Sequence, residues 1–285
     1  MTPSEKPALR KGSKSCNELL REGALRLRSA GITEPEQNAQ WLLSLAAGIP
    51  RLNLLAFSHN IPPRQSAEFF RLIKKKASGL PLAYIAGEQP FMGMSFRISR
   101  HVLIPRPETE GLVRLALKIL PPKADILEIG TGSGCIACCL AMARPRAQIT
   151  SCDISARALS VAATNARALG CGVQFIKSDL FTRVKGKFDA IISNPPYVRT
   201  GDINAQRELE YEPRAALDGG ADGLDCMRKI AARAAGFINP GGFLLLEIGY
   251  NQWEAVRRML AAGGFGKIRA FRDDCGIKRF VMAKI

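Results

Sequence analysis

The chain has 285 residues, 47% apolar and 23% charged, which allows one large domain plus a small one and excludes a disordered or fibrous protein. No apolar run approaches the roughly 18 residues of a membrane span, and residues 1–14 are polar and basic with no apolar signal core. The expected location is therefore the cytoplasm, with no membrane partner. A formal net charge of +16, denser in the first 80 residues, points to weak affinity for a polyanion such as nucleic acid or the ribosome, or to a partner that sits on one.

In chain order, residues 1–14 read as a disordered tail. Ser15-Cys16-Asn17-Glu18 has the capping-box spacing ahead of an apolar-periodic run (Leu19, Leu20, Ala24, Leu25, Leu27) that stops at Gly31. Thr33-Glu34-Pro35-Glu36 repeats the signal and opens a second helix through Trp41, Leu42 and Leu45 to Gly48. Residues 50–57 predict a short third helix. Residues 63–78 predict a fourth, with Phe69, Phe70, Leu72 and Ile73 on its apolar face and Lys74-Lys75-Lys76 as a solvated, cationic C-terminus. Residues 15–79 thus predict a small helical bundle that carries no catalytic constellation; its expected use is substrate recognition, with a purely stabilising appendage as the alternative.

Residues 80–105 predict a linker with a β-hairpin, runs 89–92 and 95–99 flanking Gly93. Ile104-Pro105-Arg106-Pro107-Glu108-Thr109-Glu110 then opens a helix, with Pro107 suited to its first turn and two acids near its positive end. Residues 106–285 form the main domain. From Asp125 strand and helix alternate, which demands a mostly parallel sheet. The strands are 126–129, 148–152 closing on Asp153, 173–177 closing on Asp179, 188–194 and 243–248, with helices at 135–143, 156–168, 225–237 and 251–262. An irregular, acid-rich stretch spans 198–224. Two last strands near 267–272 and 278–284 form a hairpin that puts one antiparallel strand into the sheet. The eight cysteines lie mostly inside apolar segments. Cys135-Ile136-Ala137-Cys138 has no second pair and only His59 and His101 to complete a metal site, so core cysteines and no metal are expected.

Two stretches carry chemistry. Pro195-Pro196 stops the buried strand 188–194, because proline lacks an N–H and cannot continue a central strand. The turn lies at a carboxyl strand end, where open α/β sheets bind ligands. There Asn194 and the Pro195 carbonyl offer two acceptors to a planar NH2 beneath the ring of Tyr197. The glycine turn Gly130-Thr131-Gly132-Ser133-Gly134 fits neither a phosphate loop, since Cys135 stands where a lysine should be, nor a G-x-G-x-x-G dinucleotide fingerprint. A third reading is S-adenosylmethionine, which has no phosphate. The bare turn allows close backbone approach, Glu128 suits the positive amino group and Asp153 both ribose hydroxyls. Asp179-Leu180 offers an acceptor and an apolar face to adenine.

Leu127-Glu128-Ile129-Gly130-Thr131-Gly132-Ser133-Gly134 with Asp153, Asp179 and Asn194-Pro195-Pro196-Tyr197 resembles the class I S-adenosylmethionine-dependent methyltransferases that methylate amino groups. Within them, Phe91-Met92-Gly93-Met94-Ser95-Phe96 and Pro105-Arg106-Pro107-Glu108-Thr109-Glu110, behind a helical N-terminal domain, resemble the release factor glutamine methyltransferases. The resemblance implies a Rossmann-like, mostly parallel seven-stranded sheet with a C-terminal antiparallel strand, preceded by the helical bundle. It also implies methyl transfer from S-adenosylmethionine to the glutamine amide nitrogen of a Gly-Gly-Gln loop in a peptide-chain release factor. The implied catalytic residues are Asn194, Pro195 and Tyr197, and those binding the cofactor are Glu128, Gly130, Thr131, Gly132, Ser133, Gly134, Asp153, Asp179, Leu180 and Asn194. Phe96, Arg106 and Pro196 join Asn194, Pro195 and Tyr197 in binding substrate. Rival readings are a ribosomal-protein glutamine methyltransferase, a DNA or RNA amino-methyltransferase that the charge favours, and a non-catalytic binding module.

Overall fold

The computed structural model describes residues 13–56, 60–203, 205 and 209–285; nearly all of the tail expected at 1–14, and His59, lie outside the described residues. The chain divides into two compact units, Met1–Ala86 and Gly87–Ile285. Among the described residues no helix is long and apolar enough to cross a membrane.

The first unit contains β1 (Lys14–Ser15), α1 (Cys16–Ser29), α2 (Pro35–Ala47), α3 (Arg51–Ala56), β2 (Asn60–Ile61), α4 (Pro63–Ala77) and α5 (Leu82–Ala86). The capping box forms at α1: the Ser15 hydroxyl accepts from Glu18 N, and the Glu18 carboxylate accepts from Ser15 N at 2.9 Å. The second box does not form. Glu34, with φ of 50°, is the N-cap of α2 and makes no side-chain cap, while Glu36 pairs with Arg28 instead. Pro35 takes N1, which makes Glu34 the N-cap in place of Thr33 and puts Glu36 at N2, one position short of the box. Leu19 and Leu27 of α1, Leu42 and Leu43 of α2, and Phe69, Leu72 and Ile73 of α4 make one core. Gly23 lets α1 and α4 close on each other, since a Cβ there would meet Phe69 Cζ at 2.4 Å. Lys74 and Lys75 are exposed as expected, but Lys76 is buried. The unit runs past the expected end at residue 79 because α5 packs Leu82 and Ile85 onto the same core.

The second unit begins with the hairpin β3 (Glu88–Phe91) and β4 (Met94–Arg97), then α6 (Pro107–Ile119), β5 (Asp125–Ile129), α7 (Cys135–Ala143), β6 (Gln148–Asp153), α8 (Ala156–Leu169), β7 (Gln174–Lys177) and β8 (Phe188–Ser193). It continues with α9 (Thr200–Ile203), α10 (Arg214–Leu217), α11 (Asp225–Arg233), β9 (Ile238–Glu247), α12 (Trp253–Ala262), β10 (Gly266–Arg272) and β11 (Lys278–Lys284). The seven-stranded sheet has the order β10-β11-β9-β8-β5-β6-β7 and is parallel except for β11, which runs antiparallel to both of its neighbours.

Side-chain alternation along each strand builds two cores. Ile126, Ala190, Ile192 and Leu245 face α6, α7 and the hairpin, whereas Leu127, Ile191, Leu244 and Leu246 face α11 and α12. Three layers result. Cys135, Cys138 and Cys139 are buried in the first of these cores. The stretch 198–224 is more regular than its composition suggests. Asp218 Oδ1 accepts from Thr200 Oγ1 at 2.6 Å and from Gly220 N at 3.0 Å, and a bridge joins Val198 to Asp218.

Candidate active site

The strand order reverses at β5 and β8, which pair with Ile129 opposite Ser193, and the Ser193 hydroxyl donates to Ile129 O at 2.8 Å. This brings the glycine turn after β5 and the Asn-Pro-Pro turn after β8 side by side, at the switch point where doubly wound sheets bind ligands. A cavity of about 740 Å³ opens there, lined by Gly130, Gly132, Asp153, Asp179, Leu180, Asn194, Pro195 and Pro196 among others.

Gly130, Gly132 and Gly134 all have left-handed φ, at 79°, 54° and 81°. A Cβ on Gly134 would meet Ala162 Cβ at 3.0 Å, so that glycine admits α8, while Gly130 and Gly132 would meet nothing and leave the cavity wall as bare backbone. Gly132 N donates to Asp153 Oδ2 at 3.0 Å, and Ser155 N to Asp153 Oδ1 at 2.8 Å. The glycine turn is also tied to the hairpin by Asn165, which sequence reading missed. Its Nδ2 donates to Ser133 O and Arg97 O, and its Oδ1 accepts from Arg97 N.

Glu128, Thr131 and Ser133 are placed beneath the turn and do not line the cavity, contrary to expectation. Glu128 is wholly buried, as its position on an inner strand requires. Its Oε2 accepts from Thr131 Oγ1 at 2.9 Å and Ser151 Oγ at 2.5 Å, and its Oε1 makes no well-formed hydrogen bond among the described residues. Burial pushes its pKa up to about 7, against the hydrogen bonds of Ser151 and Thr131. At the tip of β7, Leu180 sits at φ 47°, where its carbonyl accepts from Ser178 Oγ at 2.8 Å. A left-handed leucine is strained backbone of the kind that collects at ligand sites, and composition gives no sign of it.

Asn194 lines the cavity, and its Nδ2 donates to Thr109 Oγ1 at 3.0 Å. Thr109 is buried in the first turn of α6, so the motif read as a helix opener also supplies this contact. Tyr197 is not in the cavity wall. Its hydroxyl donates to Oε1 of the wholly buried Glu247 at 3.1 Å, its ring packs on the α11/α12 core, and its carbonyl accepts from Gln252 Nε2. Burial pushes Glu247 up to about 7, opposed by hydrogen bonding from Thr109 and Tyr197 and by the Arg279 charge. Phe96 is fully buried, edge-on to Phe91, and so lies outside any substrate surface in this structure. Arg106 is taken by Glu212, whose other oxygen accepts from Ile104 N at 2.9 Å. Glu212, buried and drawn from the acid-rich stretch, is a second residue that sequence reading missed.

Two family models match the chain, the methyltransferase small domain over residues 112–221 and the PrmC N-terminal domain over residues 18–87. The chain is 41% identical to the release factor glutamine methyltransferase of Geobacter sulfurreducens over 91% of its own length and 93% of that protein. It is 39% identical to that of Moorella thermoacetica over 93% and 97% of the two lengths. Among solved structures, a methyltransferase from Pyrococcus furiosus shares the fold at 19% identity, with a TM-score of 0.55 over 77% of this chain and all of that one. With a parallel sheet, a ligand cavity at its switch point and full-length relatives of one kind, the chain belongs to the family of release factor glutamine methyltransferases, S-adenosylmethionine-dependent enzymes of the class I fold.

Proposed function

We propose that the chain transfers a methyl group from S-adenosylmethionine to the side-chain amide nitrogen of the glutamine in a release factor's Gly-Gly-Gln loop. The observation that carries this reading is the joining of Asn194-Pro195-Pro196 and the glycine turn in one cavity, with Asp153 and Asp179 at the neighbouring strand tips. The cavity's size suits a nucleoside bearing an amino-acid chain. Its backbone wall at Gly130 and Gly132 is what a Cβ would fill, and no basic side chain stands in the turn, which suits a ligand without phosphate.

When bound, S-adenosylmethionine supplies an electrophilic methyl group. Asp153, with one backbone donor on each oxygen, keeps lone pairs for ribose hydroxyls. Leu180 gives the adenine an apolar face and Asp179 an acceptor. An amide nitrogen is a poor nucleophile because its lone pair is delocalised, so the protein's task is orientation and exclusion of water. Asn194 Oδ1 and the Pro195 carbonyl accept the two N–H bonds of the substrate amide and aim its nitrogen. Tyr197 braces the turn through Glu247. The helical unit, with Trp41, Leu45 and Leu52 exposed, serves to grip the protein substrate.

The test is incubation with labelled S-adenosylmethionine and, separately, release factor, its Gly-Gly-Ala variant, ribosomal protein and ribosomal RNA. Label on release factor alone, lost in the variant, is expected. Label on RNA in place of release factor overturns the reading and favours the partner class that the +16 charge suits.

A further inference from the structure

Glu212 buries its carboxylate, with 2% of the side chain exposed, and gives both oxygens to one short segment far back in the chain. Oε2 accepts from Ile104 N at 2.9 Å, and Oε1 takes the Arg106 guanidinium. A buried ion pair adds little stability, because desolvation cancels most of the attraction. Removing one partner strands the other charge, so the pair holds its geometry strictly. Pro105 and Pro107 take two backbone donors out of that segment and keep the residues before them extended, Arg106 at φ −92° and ψ 141°. A side chain from elsewhere does the fastening.

Each end of this clasp abuts the cavity. Residues 101–103 line it just before Ile104, and residues 213–216 line it just after Glu212. Both stretches lie outside the sheet, so no strand pairing holds them in place. The far end of α10 is tied to the chain that leaves the Asn-Pro-Pro turn: Val198 N donates to Leu217 O at 2.9 Å and Thr200 Oγ1 to Asp218 Oδ1 at 2.6 Å. Arg106 is also the N-cap of α6, whose Thr109 Oγ1 accepts from Asn194 Nδ2.

We infer that Glu212 is a positioning residue: through Arg106 and Ile104 N it clasps the wall at 101–103 to the wall at 213–216, and so keeps a bound ligand from leaving the cavity. This rests on the proposed binding of S-adenosylmethionine there. Neither Glu212 nor Arg106 lines the cavity, so the pair acts through the segments it joins.

The test uses the full-length protein carrying Glu212→Gln, Arg106→Met, both together, or Arg106→Lys. It measures release of labelled S-adenosylmethionine, chased with excess unlabelled cofactor, and KM for intact release factor. Glu212→Gln keeps the shape but has one accepting oxygen, so its amide nitrogen meets Arg106 or Ile104 N donor to donor. Release is expected to quicken about tenfold in each single variant and by the same factor in the double, because partners in one contact are not additive. Arg106→Lys keeps a charged donor and is expected to restore most of the slow release. A pair that only stabilised the fold would lower the melting temperature and leave release unchanged.

Wild-type release in a folded Glu212→Gln, or a double variant that multiplies the two single effects, overturns the inference. So does a raised KM confined to Arg106→Met, which would put Arg106 on the substrate instead. Should a single variant not fold, the double carries the test, since it leaves no buried charge unpaired; fast release supports the inference and wild-type release overturns it. Asp153→Ala separates the clasp from the reading beneath it. If that variant binds S-adenosylmethionine as tightly as wild type, both fall; if it binds weakly while Glu212→Gln releases at the wild-type rate, only the clasp falls.

Discussion

Gly132 N donates to Asp153 Oδ2 across 3.0 Å, fastening the glycine turn after one strand to the acid at the tip of the next. Asp153 therefore shapes one wall of the cavity and forms part of another.

From this follows the first expectation. Asp153→Ala removes the acceptors proposed for ribose and releases Gly132, so S-adenosylmethionine affinity should fall by a few kcal/mol, the scale of charge-assisted hydrogen bonds in a closed site. The sheet, held elsewhere, should persist. Titration calorimetry on a folded variant decides it, and unchanged affinity would remove Asp153 from the binding site.

The second concerns Asn194. Its loss falls on alignment in the transition state, so Asn194→Ala should slow methylation on the order of a hundredfold or more while cofactor affinity changes little. Asn194→Asp keeps the shape and an acceptor, but adds a charge beside a sulfonium. It should retain only part of the activity. Single-turnover rates with release factor are the measurement.

The third concerns pH. Glu128 and Glu247 are each raised from an ordinary 4.5 to about 7 in the folded chain. Stability from a raised carboxyl is fully present below about 4.5 and is lost as pH climbs through about 7, by up to about 3 kcal/mol per group. The melting temperature should therefore drop between pH 5 and pH 8, and the drop should shrink in Glu128→Gln. A variant whose pH dependence matches wild type would mean that Glu128 is not the titrating group.

The fourth concerns the helical unit. Leu52 is 80% exposed and Trp41 46%, with the Arg51 guanidinium over the Trp41 ring. If this unit grips the release factor, Leu52→Asp together with Trp41→Ala should raise KM for the intact protein about tenfold, a loss typical of one or two interface anchors. Activity on a short Gly-Gly-Gln peptide should not change. Equal effects on both substrates would assign these residues no recognition role.

Much of this architecture was legible because local chemistry writes it. The capping box at Ser15 and Glu18 formed, the strand–helix alternation from Asp125 gave a parallel sheet, and the last hairpin delivered its antiparallel strand. The box at Thr33 failed because Pro35 at N1 moved the N-cap to Glu34 and left Glu36 to pair with Arg28.

Strand tips were equally readable. The glycine turn, Asp153, Asp179 and Asn194-Pro195-Pro196 line one cavity because each follows a parallel strand, and parallel strands end on the same edge of the sheet. What each side chain does after the strand ends was not local. Glu128 turns under the loop to Thr131 and Ser151, and Tyr197 turns into the core to meet Glu247. Phe96 is sealed against Phe91, and Arg106 is held by a glutamate 106 positions away. The sequence alone determined most of the elements, the parallel sheet and the edge that carries the site, since periodicity and turn chemistry act over a few residues, but not α5, α9 or α10. Only the tertiary structure decided that Asn194 meets Thr109 and that Tyr197 meets Glu247, because a buried polar group takes whichever partner the packing of distant strands and helices brings within hydrogen-bonding reach.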